Sequence, residues 1–143
     1  MLLALVAGIA GSCSREARKE RYYQNAVRYF EKGDYGSAAI QFRNALRLDP
    51  HYADAHYQLA QCYLKQGLVD RAYSELSSTV DLAPRNWKAQ IDLGELLFVS
   101  RHYDEAGKKA RLVLSEDPNN ADDTSFCRAS PPSGATKSRR WRK

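Results

Sequence analysis

Prolines stand at Pro50, Pro84 and Pro118, 34 residues apart each time. A fixed period of this length constrains the fold more than composition does. It marks a solenoid, in which each unit cannot bury its apolar face alone and must bury it against its neighbours. Other residues keep the same step. Ala38, Ala72 and Ala106 repeat, as do Ala26, Ala60 and Gly94. Gly33 pairs with Gly67, Leu48 with Leu82, and Tyr29 with Tyr63, with Leu97 next in line. Proline cannot continue a helix and pushes the residue before it out of the helical region, so Asp49-Pro50 and Ala83-Pro84 read as breaks. Gly33-Asp34 reads as a tight turn within the unit. These breaks predict helices at roughly 17–32, 35–47, 53–66, 69–81, 87–100 and 103–115.

The residues that recur resemble the tetratricopeptide repeat family. In that family a helix A with a small residue and an aromatic is followed by a Gly near the turn, a helix B and a closing Pro. Repeat one supplies Ala26, Tyr29, Gly33, Ala38, Phe42, Ala45 and Pro50. Repeat two supplies Leu59, Ala60, Tyr63, Gly67, Ala72, Leu76 and Pro84. Repeat three supplies Leu93, Gly94, Leu97, Ala106, Ala110 and Pro118, with Arg101 where the Gly is expected. The resemblance covers residues 19–118, divided at about 19–52, 53–86 and 87–120. It implies an all-α, right-handed superhelical solenoid of three stacked helix-turn-helix hairpins. It implies a mode of action and no particular substrate.

At the N-terminus, Met1 to Ala10 is almost entirely apolar and is followed by Gly11-Ser12-Cys13-Ser14. Ten apolar residues are too few to span a bilayer, which needs about 20, but they suit the core of a signal peptide. Ala10-Gly11-Ser12-Cys13 resembles the bacterial lipobox. That resemblance implies a signal peptide over 1–12, a lipidated Cys13 and a tether over 13–18. It departs from the pattern in having no basic residue before Arg15. The implied location is the periplasmic side of a bacterial envelope. Ser14 after the cysteine favours the outer membrane under the enterobacterial sorting rule. A cytoplasmic chain with a mis-assigned start is the alternative.

The repeat pattern stops after Asn119-Asn120-Ala121-Asp122. Residues 121–143 read as a disordered basic tail. They contain Pro131-Pro132 and hold Arg128, Lys137, Arg139, Arg140, Arg142 and Lys143. Without those six the basic residues number 16 against 17 acidic, so the formal charge of +5 belongs to the tail. A basic tail with one Trp is open to reading as a nucleic-acid or membrane-surface element, but it reads first as a disordered tail, and a nucleic-acid partner is disfavoured. Read from the third base of each codon, the Asp123/Thr124 junction encodes His or Tyr and the Phe126/Cys127 junction encodes Leu. The tail is thus also open to reading as a frameshifted remnant of a fourth repeat. With no polar helix after repeat three, Val113 and Leu114 are expected to face the missing neighbour.

The sequence holds no CxxC, HExxH, Gly-rich phosphate loop or GxSxG. His51, His56 and His102 lie in separate turns and helix ends, which argues against a metal site. Cys62 reads as a small buried hydrophobe. The expectation is a non-enzyme with no cofactor and no metal. Its partner would be a protein or peptide segment.

By the family resemblance, helix A lines a concave groove. The residues placed there are Tyr23, Val27 and Phe30 in repeat one; Tyr57, Gln61 and Leu64 in repeat two; and Lys88, Ile91, Glu95 and Phe98 in repeat three. The rows Tyr23–Tyr57–Ile91 and Phe30–Leu64–Phe98 offer apolar anchoring surface, which suits an extended or helical peptide. The family's carboxylate-clamping groove carries Lys and Asn where Tyr23 and Val27 stand, so that ligand class is disfavoured. The reading is a peptide-binding scaffold tethered to the membrane through an N-terminal lipid. Its alternative is the substrate-recruiting part of a larger enzyme, or a cytosolic adaptor.

Overall fold

In the computed structural model the backbone is described for residues 7–116 and the side chains for residues 14–116. The Cys13 side chain and the tail from residue 121 onward lie outside the described residues, as do residues 1–6 of the expected signal segment. Six helices follow one another: α1 (Ala7–Glu31), α2 (Tyr35–Leu48), α3 (Ala53–Lys65), α4 (Val69–Leu82), α5 (Trp87–Val99) and α6 (Tyr103–Glu116). There is no strand among the described residues. Two compact units divide at Pro84: the first holds α1–α4 and the second holds α5 and α6. The fold is an all-α helical repeat of hairpins.

Each hairpin turns by the same device. At the end of α1, Gly33 N–H donates to the Phe30 carbonyl (2.9 Å) and Asp34 N–H to the Tyr29 carbonyl (3.0 Å). At the end of α3, Gly67 N–H donates to Leu64 (3.1 Å) and Leu68 N–H to Tyr63 (2.9 Å). At the end of α5, Arg101 N–H donates to Phe98 (3.0 Å) and His102 N–H to Leu97 (2.8 Å). This bonding satisfies carbonyls that a helix end leaves open and needs one residue in the left-handed region. Gly33 and Gly67 supply it at φ +77° and +73°, and Arg101 does so at φ +66°. The turn geometry therefore survives where the glycine is missing. On the far side of the first turn, the Asp34 carboxylate accepts from Ser37 N–H (3.0 Å) and caps α2. Asn86 caps α5 in the same way, accepting from Ala89 N–H (3.1 Å).

The small repeated residues form the cores. In the first unit Ala26, Ala38, Ala45, Ala55, Ala60 and Ala72 are fully buried around Phe42, Leu59 and Leu76. Alanines let helix axes approach closely, and the large side chains fill the space beside them. Cys62 is fully buried with them. Burial pushes its thiol up to about 12, so the thiolate form is suppressed.

Two expectations need correction, and one pair of residues that share a repeat position proves unequal. First, α1 begins at Ala7 rather than near residue 17, running on through the stretch expected to be a tether. No proline interrupts it, and its Arg15 is held by the fold. The Arg15 guanidinium donates twice to the Leu48 carbonyl, at 3.0 and 2.6 Å, at the C-terminus of α2. Second, Val113 is fully buried instead of facing a missing neighbour. It lies three and seven residues after Ala110 and Ala106 and so shares their inward face. Leu112, at 41% exposure, is the residue turned outward. The unequal pair is Tyr29, 38% exposed, and its counterpart Tyr63, 6% exposed. Tyr29 lies on the first helix of the first unit, and no earlier helix among the described residues covers that face.

Candidate functional site

The helix A residues expected to line a groove occupy several environments. On α1, Tyr23, Val27 and Phe30 are half-buried, and on α3 so are Tyr57, Gln61 and Leu64. Tyr23 packs edge-on against Phe42 of α2 at 5.5 Å between ring centroids, and tilted against Tyr52 at 5.0 Å. Phe30 packs edge-on against Tyr35 at 5.2 Å. These rings are thus fixed in place while keeping part of their surface open. In the second unit, Lys88 and Glu95 are exposed and Phe98 is half-buried. Phe98 packs edge-on against Tyr103 at 5.3 Å, repeating the Phe30–Tyr35 pair. Ile91 is only 8% exposed and belongs with its core neighbours Ala89 and Leu93.

A polar cluster surrounds Tyr23. The Lys19 ammonium bonds Asp49 at 3.0 Å and pairs with Glu16, and it sits 4.6 Å over the Tyr52 ring. The Tyr52 hydroxyl faces Glu20 at 3.4 Å. Bonds to Glu16 and Asp49 hold the Lys19 ammonium above its ordinary pKa, and Lys19 in turn holds the Asp49 carboxyl below its own. Burial, aided by the charges of Glu20 and Asp54, pushes Tyr52 up to about 12. Burial raises Tyr23 as well, with the Asp54 and Glu20 carboxylates adding to it and the Gln58 amide opposing. Both phenols therefore stay protonated at physiological pH, and the Tyr52 hydroxyl donates to Glu20. The cluster welds the N-terminal half of α1 to the turn between α2 and α3. Nothing in the sequence pairs Arg15 or Lys19 with residues 30 and more positions away, so this lock was not legible there.

A second junction lies between α3 and α4. The His56 ring bonds the Glu75 carboxylate through Nδ1 (2.6 Å) and the Pro50 carbonyl through Nε2 (3.0 Å). A carboxylate and a carbonyl both accept, and the imidazolium, which donates from both ring nitrogens, satisfies the two together. The Glu75 bond accordingly raises the His56 pKa above its ordinary value, against the opposing effect of burial. His56 borders an open hollow of about 450 Å³ that Arg43, Arg47, Leu46 and Leu59 also line.

Among the described residues, no three His, Cys, Asp or Glu side chains are grouped to hold a metal ion. No described helix is long and apolar enough to cross a membrane.

The family model described as tetratricopeptide repeat matches residues 29–81. The type IV pilus assembly protein PilF of Pseudomonas aeruginosa is 30% identical over 106 residues, covering 72% of this chain and 40% of that protein. Hsp70-Hsp90 organizing protein 1 of Glycine max is 29% identical over 91 residues, covering 64% of this chain and 16% of that one. The chain thus spans well under two thirds of these relatives. Among solved structures, the first repeat domain of Spaghetti (RPAP3), bound to an HSP90 peptide, superposes with a TM-score of 0.72 at 24% identity, covering 79% of this chain and 90% of that one. The Yersinia enterocolitica type III secretion chaperone SycD, in complex with a peptide of the translocator YopD, gives 0.70 at 20% identity, covering 77% and 89%. At these identities the superpositions establish the fold.

Proposed function

Because this chain is a tetratricopeptide repeat protein, we propose that it is a non-catalytic scaffold that takes up a peptide segment on its helix A residues. The observation that carries this reading is the state of Tyr23, Val27 and Phe30 on α1 and of Tyr57, Gln61 and Leu64 on α3. They stand at equivalent positions one repeat apart, and all six are half-buried. Such side chains have already lost much of their rotamer freedom to folding, so a partner orders little more on arrival. They still expose apolar area whose removal from water favours binding. The peptides held by Spaghetti and SycD support this use of the fold. Their ligands need not be this chain's, since Tyr23 and Val27 differ from the Lys and Asn of carboxylate-clamping grooves. A peptide with aromatic or aliphatic anchors fits better.

The scaffold is further proposed to be held at the periplasmic side of a bacterial envelope through a lipid on Cys13. What supports this is the apolar run Met1–Ala10 followed by Gly11-Ser12-Cys13. The binding half of the proposal is tested at Tyr57. Truncating a central interface aromatic costs roughly 2 kcal/mol, and 1.4 kcal/mol is about tenfold. Tyr57→Ala should weaken capture of an apolar-anchored peptide at least about tenfold while the far-UV circular dichroism stays unchanged. Unaltered affinity in a folded variant would remove α3 from the binding face.

A further inference from the structure

α1 carries a second surface that peptide binding leaves unused. Arg18, Arg21 and Arg28 on α1 and Lys32 one residue past its end recur at steps of three, seven and four residues, and Lys32 N–H still bonds the Arg28 carbonyl, which brings all four to one side. All four are exposed, and among the described residues none of their side chains is engaged in a hydrogen bond or ion pair. The acids of α1 fall elsewhere. Glu16 pairs with Lys19 and Glu20 faces Tyr52, both toward the α2–α3 turn. Glu31 sits only at the margin, three residues from Arg28. Two shallow hollows open along the row, one bordered by Arg18 and Arg21, the other by Arg28, Tyr29 and Lys32. Tyr22 and the 38% exposed Tyr29 flank the cations. From Arg18 to Lys32 the row runs ~21 Å at 1.5 Å per residue.

We propose that this face of α1 lies on an anionic lipid surface. A straight row of cations on the outside of a single helix fits a flat, negatively charged plane. Each basic residue held near such a surface gains attraction from it. Tyrosine places an apolar ring and a polar hydroxyl at headgroup depth. The row also begins directly after the apolar N-terminal run and Cys13. That last point rests on the tether proposed above. Whether the run itself or a lipid on Cys13 reaches the bilayer, α1 is the element that carries it, since this helix begins at Ala7. The stripe would then orient the scaffold, since a single tether fixes position and leaves rotation free.

The test is co-sedimentation of the full chain, with Cys13 unmodified, on phosphatidylcholine vesicles with and without phosphatidylglycerol at low salt. Arg18→Gln/Arg21→Gln/Arg28→Gln/Lys32→Gln should weaken binding to the anionic vesicles about tenfold or more. A matched variant, Arg43→Gln/Arg47→Gln/Lys65→Gln/Lys108→Gln, loses the same charge away from the stripe and keeps the basic tail. It should bind nearly as wild type. Equal loss in the two variants, or no loss in the first while circular dichroism shows both folded, would overturn the proposal. So would a stripe-dependent affinity for single-stranded DNA or poly-aspartate that matches or exceeds the affinity for vesicles. Binding to neutral vesicles reports on the N-terminal run alone. If it is absent while the stripe dependence on phosphatidylglycerol persists, the run does not insert by itself and the stripe stands; the lipid tether is tested separately, by fractionation of Cys13→Ala.

Discussion

Arg101 occupies the left-handed position that ends α5, at φ +66°, where the first two hairpins use Gly33 and Gly67. For a residue with a Cβ this conformation costs ~1–2 kcal/mol. Glycine avoids that cost but loses more chain entropy on folding, ~0.5–1 kcal/mol. Arg101→Gly should therefore stabilise the third hairpin by a net ~0.5–1 kcal/mol. The arginine side chain is exposed, so its loss subtracts little. The reverse substitution makes the argument symmetrical. A Cβ built on Gly67 meets no atom within 4 Å, so Gly67→Ala tests the backbone alone and should cost ~1 kcal/mol. For a folded piece of 60–100 residues, 1 kcal/mol moves Tm by ~4–8 °C. Thermal and urea melts followed by circular dichroism provide the first readout. Repeat arrays need not melt as one unit, so amide exchange at Arg101 and His102 localises the effect. If Arg101→Gly leaves the fold intact but lowers stability, or if Gly67→Ala is neutral, then backbone strain does not set the energetics of these turns.

Three further outcomes follow from the packing and the junctions. Tyr63 is 6% exposed, so Tyr63→Ala should cost ~3–5 kcal/mol; a urea midpoint close to that of wild type would show that the helix A core face has been misassigned. His56 has a folded-state pKa raised above its ordinary 6.5. The stability it contributes is thus full below about pH 6.5 and is lost as pH rises through the higher folded value. Wild type should weaken over that rise relative to Glu75→Gln, and identical pH profiles would show that the His56–Glu75 bond carries no linkage. Cys13→Ala, expressed with a complete signal, should move the protein out of the membrane fraction, and wild-type fractionation would refute lipidation at Cys13.

The helix boundaries and turns were legible because they follow from local chemistry repeated at a fixed step. Proline excludes helix and glycine admits a positive φ wherever they occur, so Pro50, Gly33 and Gly67 announced the joints without reference to the fold. Their recurrence at 34 residues then specified hairpins, and five of the six helices lie within one residue of the predicted ends. The start of α1 was missed because composition suggested a targeting segment, and nothing local revealed that Arg15 would find the Leu48 carbonyl.

What the sequence determined by itself is the architecture: an all-α repeat whose small residues and punctuation fall at positions 34 apart. What the tertiary structure alone decided is which equivalent positions stay equivalent. Tyr29 and Tyr63 share a repeat position, yet one is exposed and the other buried, because burial depends on whether a preceding helix covers that face. Ile91 and Tyr57 likewise share a groove position and differ in exposure. The His56 pKa is raised because Pro50 and Glu75 bring two acceptors to one ring, and Glu75 contributes most. Periodicity fixes what each residue is offered locally. Only the assembled neighbours determine what it touches.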